Sequence, residues 1–202
     1  MPEASGSHHH EHPLSPTPAH KRERPEERVA VLFRQVLPAL LVWAELRITP
    51  PMRPFLTPQD LVVEVWCRAL AVGLVDDAVF RQRVFRIASY VLLEAFSAIR
   101  MQAFFTGGSP KPAKVVHANG APLEMVAATR GFVELDSTRA LLERVAALDA
   151  DGKRVLLNHG LEGVAAHEVA ARLGMTEEAV AGTWGALVRD LEADGTWRLI
   201  FP

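Results

Sequence analysis

Cysteine is almost absent from this chain of 202 residues. Only Cys67 carries a thiol, which excludes a disulfide framework and a thiolate zinc site. No uninterrupted apolar run reaches about 18 residues, so no membrane span is expected. Excess charge of one sign is missing as well. The 22 basic residues set against 24 acidic ones give a net charge of −2, which excludes a uniformly basic, histone-like protein but leaves room for a local nucleic-acid face. No segment alternates apolar and polar residues at period two, which argues against strands. No Ser/His/Asp set, glycine-rich phosphate loop or metal-ligand spacing emerges, so neither an enzyme nor a resident metal or cofactor is expected. The first 20 residues have no signal-peptide core, and the expected location is the cytoplasm.

What is present is helical periodicity. Hydrophobic residues make up 49% of the chain, enough for a sizeable core. Residues 1–27 read as a disordered, solvated tail in which His8, His9, His10 and His12 cluster without an ordered surrounding. From residue 28, Val29, Leu32, Phe33, Val36, Leu40 and Trp43 recur at three- and four-residue steps, and Pro38 should kink or split that helix. Pro50, Pro51, Pro54 and Pro58 make residues 48–58 a loop. Thr57 is placed to cap a second helix running from Pro58 to about Val72, with Asp60 in its first turn. A long helix follows from about Ala78 to Phe105, its apolar positions interrupted by Arg81, Arg83, Arg86 and Arg100, until Gly107, Gly108, Pro110 and Pro112 end it. Residues 106–136 read as a flexible linker and 137–202 as a second helical module. The expected fold is therefore all-α, with two small helical modules, 28–105 and 137–202.

The second module contains a helix-turn-helix pattern. Val169 and Leu173 are four apart, Ala170 is small where two helices must approach, and Gly174 suits the left-handed residue that ends the first helix. Met175 fills the turn, Thr176 caps the second helix, and Val180, Trp184, Leu187, Val188 and Leu191 return it to the core. The positions a reading helix would present are Thr176, Glu178, Ala181, Gly182 and Arg189, of which one is basic. From Leu141 to Asp194 there are five basic residues and ten acidic ones, a net of −5, which repels a phosphate backbone. From Arg28 to Phe105 there are nine arginines against six acids, a net of +3. His159 and His167 are expected at the surface.

Two segments resemble a known family. Asp60-Leu61-Val62-Val63-Glu64-Val65-Trp66-Cys67-Arg68-Ala69-Leu70 is similar to the clamp-docking helix of region 2 in extracytoplasmic-function sigma factors, of the sigma-70 family, which serve bacterial RNA polymerase. Phe80 to Arg100 resembles the following helix that reads the −10 element, and Leu141 to Leu191 resembles region 4, whose helix-turn-helix reads the −35 element. The resemblance covers about two-thirds of the chain in the family's order. It implies a non-enzymatic transcription-initiation subunit that binds core RNA polymerase and promoter DNA, with an anti-sigma factor as a further partner and no membrane. On that basis Asp60, Leu61, Glu64 and Trp66 would dock on polymerase. Arg81, Arg83, Arg86 and Tyr90 would hold melted −10 DNA through a positive groove with aromatics. The chain departs from the family at Val63, where Gln is usual, at Ala95–Ile99, where an arginine run is usual, and at Ala181, Thr183 and Ala186, where Lys and Arg are usual. An alternative function follows from the acidic second module: a sigma-like interaction protein that sequesters an anti-sigma factor without opening promoters.

Overall fold

A computed structural model describes residues 24–106, 136–193, 195 and 197–201. Among the described residues every regular element is helical. The order is α1 (Pro25–Arg47), a short 3-10 turn (Pro50–Met52), α2 (Pro58–Ala71), α3 (Asp77–Thr106), α4 (Asp136–Ala147), α5 (Ala150–Val155), a π-helical turn (Leu156–Leu161), α6 (Ala166–Leu173), α7 (Glu177–Ala193) and α8 (Trp197–Ile200). The expected tail 1–27 falls mostly outside the described residues, although α1 already begins at Pro25, and the expected linker lies almost wholly outside them.

The first helix is the centre of the structure. Between Val36 and Ala44 every residue is buried, which is what a helix covered on all sides requires. It packs on α2 and α3 along one flank, and on α4, the π-helical turn and α8 along the other. Pro38 neither splits nor ends it, because α1 runs unbroken from Pro25 to Arg47 and buries Pro38 in the core. An 18-residue window of α1 has a mean hydropathy of 1.7, long and apolar enough to cross a membrane, and 67% of that window is buried inside the protein. Both helical groups contribute to one continuous apolar core. Leu40, Val62 and Val84 belong to it from the first group, and Leu141, Leu156 and Ile200 from the second.

Local chemistry explains where the helices start and stop. Thr57 Oγ1 accepts from Asp60 N at 3.1 Å while Asp60 Oδ2 accepts from Thr57 N at 3.2 Å, a reciprocal capping box opening α2. At the far end Gly73 takes φ +60°, and Leu74 N donates back to Ala69 O at 3.1 Å. The same device closes α6. Gly174 takes φ +67°, and Met175 N donates to Ala170 O at 3.0 Å.

Candidate nucleic-acid interface

The side chains of α3 divide into three sectors. Val84, Ala88, Val91 and Ala95, spaced four, three and four apart, face the core. On the opposite side Arg83, Arg86, Tyr90 and Leu93 recur at helical spacing and are all exposed, Tyr90 to 58%. Arg100 and Phe104 continue that side, Phe104 being 79% exposed, and the Arg100 guanidinium lies over the Phe96 ring at 5.8 Å. Cations and exposed aromatics along one helix side are the elements of a surface for unpaired bases and phosphates. The apolar members Leu93, Phe96, Met101, Phe104 and Phe105 were not among the expected site residues. Their position off the core sector of the helix was the available signal.

Arg81 occupies the third sector and does not share the open side with Arg83, Arg86 and Tyr90. Its Nη1 donates to Ile200 O at 3.0 Å, and its guanidinium lies 5.3 Å from the Phe85 ring and 5.5 Å from the Phe201 ring. Burial lowers its pKa, and its Nη2 is buried without an acceptor. A cleft of about 800 Å³ runs beside it, with Arg81, Arg86 and Tyr90 on one wall and Gly160, Glu162 and Val164 on the other. Across that cleft Glu162 Oε1 accepts from Trp43 Nε1 at 2.9 Å and from Arg47 Nε at 3.0 Å. The sequence reading took Trp43 only as an apolar position of the first helix and did not single out Glu162, Arg47 or Phe201.

The residues expected to dock on polymerase separate into two kinds. Leu61 is fully buried and Trp66 is 4% exposed, with Trp66 edge-on to Phe33 at 4.9 Å and its Nε1 without a partner. Both are core residues, so in this conformation neither presents itself to a partner. Their apolar character fits helix packing between α1 and α2. Asp60 and Glu64 are part-exposed but already engaged. Asp60 closes the capping box, and Glu64 Oε1 accepts from Arg68 Nε at 2.8 Å. Arg68 Nη2 also donates to Glu94 Oε2 at 2.7 Å, which ties α2 to α3. The hydrogen bond from Arg68 holds the Glu94 carboxyl below the usual carboxylate range, and the bond to Glu94 raises the Arg68 pKa.

In the helix-turn-helix, Val169, Ala170 and Val180 are buried where α6 and α7 meet, and Thr176 Oγ1 accepts from Ala179 N at 3.1 Å as the cap. Glu178, Ala181, Gly182 and Arg189 are exposed on one side of α7. A Cβ added at Gly182 would meet nothing within 4 Å, so this side is open and shallow. His167 is exposed, as expected, but His159 is not a plain surface residue. Its Nδ1 lies 2.8 Å from Val164 O, and its ring stands edge-on to Trp184 at 5.2 Å. Among the described residues no three His, Cys, Asp or Glu side chains converge as metal ligands.

The chain matches no protein-family model, and neither a curated protein nor a solved structure matches it at a significant level.

Proposed function

We propose that this protein is a transcription-initiation subunit of bacterial RNA polymerase, similar to an extracytoplasmic-function sigma factor, that directs core polymerase to promoters. One observation carries the reading: the exposed side of α3 on which Arg83, Arg86, Tyr90 and Arg100 alternate with Leu93 and Phe104. Such a side supplies phosphate contacts and stacking platforms for a melted strand. The helix-turn-helix supports the same reading by its form, while its charge assigns it a minor part in duplex affinity. Asp60 and Glu64 are the carboxylates on α2 that would meet a basic polymerase surface.

The test is run-off transcription with core polymerase, together with binding of the full chain to a labelled single-stranded −10 oligonucleotide over a salt series. Promoter-dependent transcripts are expected, with oligonucleotide affinity falling as salt rises by about 0.7 in log–log slope per phosphate contact. Absence of both transcripts and oligonucleotide binding overturns the reading. The alternative, a sigma-like protein that sequesters an anti-sigma factor, is favoured by the net −5 of residues 141–194. It predicts capture of a basic protein partner and no transcripts.

A further inference from the structure

We propose that the chain is self-inhibited: its C-terminal residues 197–201 and Glu162 latch the second helical group onto α1 and the Arg81 end of α3 and withhold Arg81 from nucleic acid. The inference rests on the nucleic-acid reading of α3 and adds its regulation.

Beyond the apolar core that the two helical groups share, the latch has two polar points of attachment, both between residues far apart in sequence. At the first, Ile200 is fully buried in the shared core, its carbonyl accepts from Arg81, and the following Phe201 stacks beside the Arg81 guanidinium. Phe201 is edge-on to Trp184 at 5.8 Å, which links the latch to α7. At the second, Glu162 accepts from Trp43 and Arg47 of α1. The π-helical turn is what delivers Glu162 to that place. The extra residue of a π turn re-aims the chain after Leu161, and Val164 N closes it by donating to Asn158 O at 2.9 Å.

The chemistry of the first point makes it releasable. Among the described residues Arg81 is enclosed by a carbonyl and two rings with no carboxylate against it, and its Nη2 is buried without an acceptor. A guanidinium so placed is incompletely satisfied, and a phosphate would supply the bidentate, charged acceptor that a carbonyl cannot. A strand following α3 from Tyr90 toward Arg81 meets the wall formed by Gly160, Glu162 and Val164. Closed chains therefore bind through the exposed side of α3 without Arg81, whose contribution appears only in the fraction of chains that are open.

The experiment compares the full chain with Glu162→Arg, Phe201→Ala and the Glu162→Arg/Arg81→Ala double variant. Small-angle scattering reads opening, circular dichroism reads retained helix, and anisotropy of a fluorescein-labelled single-stranded 12-mer reads affinity. Glu162→Arg places a cation beside Arg47 at a part-exposed site and removes no apolar side chain, so it remains informative if Phe201→Ala does not fold. Expected are a larger radius of gyration and about tenfold tighter binding for both single variants. The double variant should open equally but lose that gain. An opened chain whose measurable affinity equals the parent's overturns the inhibition, as does tighter binding without expansion. If the parent and every opened variant fail to bind the 12-mer, the nucleic-acid reading falls and the inhibitory role with it. Scattering still reports the latch itself in that case, so the two failures are told apart.

Discussion

Two glycines of the second helical group should respond to the same substitution with opposite signs. Gly182 lies inside α7, and a Cβ there meets nothing within 4 Å. Gly182→Ala gains the helix propensity that glycine forfeits, about 0.8–1 kcal/mol. Gly160 lies in the π-helical turn, where a Cβ would stand 2.7 Å from Trp184 Cη2 and Cζ3 and 3.3 Å from Phe201 Cζ. The indole cannot simply swing away, because His159 and Phe201 flank it at ring distances of 5.2 and 5.8 Å. Forcing a methyl group into such a contact costs about 1–3 kcal/mol. The two variants should therefore differ by roughly 2–4 kcal/mol. Urea unfolding monitored by circular dichroism measures this through the midpoint at constant slope. In a thermal scan each kcal/mol moves Tm by about 2–4 °C for a chain of this size, upward for Gly182→Ala and downward for Gly160→Ala. A Gly160→Ala protein as stable as the parent refutes the close packing of the turn against Trp184. A Gly182→Ala protein less stable than the parent refutes the open face of α7.

Replacing Asp60 separates its two roles. Asp60→Asn keeps an oxygen for Thr57 N and should fold like the parent while weakening capture by core polymerase. Asp60→Ala should also lower stability by about 1 kcal/mol. Unfolding curves and a pull-down together decide this. Glu94→Gln should lower stability at neutral pH by under about 1 kcal/mol, since the pair with Arg68 is exposed. The folded-state pKa of Glu94 is depressed, so its contribution is present above the unfolded value and disappears as pH falls through the folded one. Parent and variant should therefore converge in acid, and a gap that persists there contradicts the pairing. Full-length chain carrying Glu178→Lys and Gly182→Lys should bind duplex DNA more tightly than the parent, with a salt slope steeper by about 1.8 if both lysines reach phosphates. An unchanged slope in a salt titration would show that this side of α7 does not approach DNA.

Features set by neighbours in sequence were legible before the structure. Thr57, Pro58 and Asp60 announced the start of α2, and Gly174 with Thr176 announced the turn between α6 and α7, because capping and left-handed turns are decided within a few residues. Helical periodicity marked the long helix from about Ala78 to Phe105, which the structure shows as α3. Contacts across more than a hundred positions had no such signature. Nothing local marks Glu162 as the partner of Trp43 and Arg47, or the Ile200 carbonyl as the partner of Arg81. Leu61 and Trp66 show the related difficulty that an apolar residue suits a core and a docking surface equally well. Pro38 does not split α1, because helix breaking is a local cost and burial of α1 on every side outweighs it. The π-helical turn was missed because one added residue leaves the apolar pattern of Val155, Leu156 and Leu161 almost unaltered.

The central position of α1 has a consequence during synthesis. Its flank toward α2 and α3 gains cover soon after it is made, but its other flank waits for α4, the π-helical turn and α8. At the rates of ribosomal elongation, about 5–20 residues per second, the stretch from Arg47 to Phe201 takes roughly 8–30 s. For that interval the nascent chain displays a helix with the hydropathy of a membrane segment and no lid on one side. Productive folding thus depends on keeping an early apolar surface from other contacts until residues 197–201 have left the ribosome.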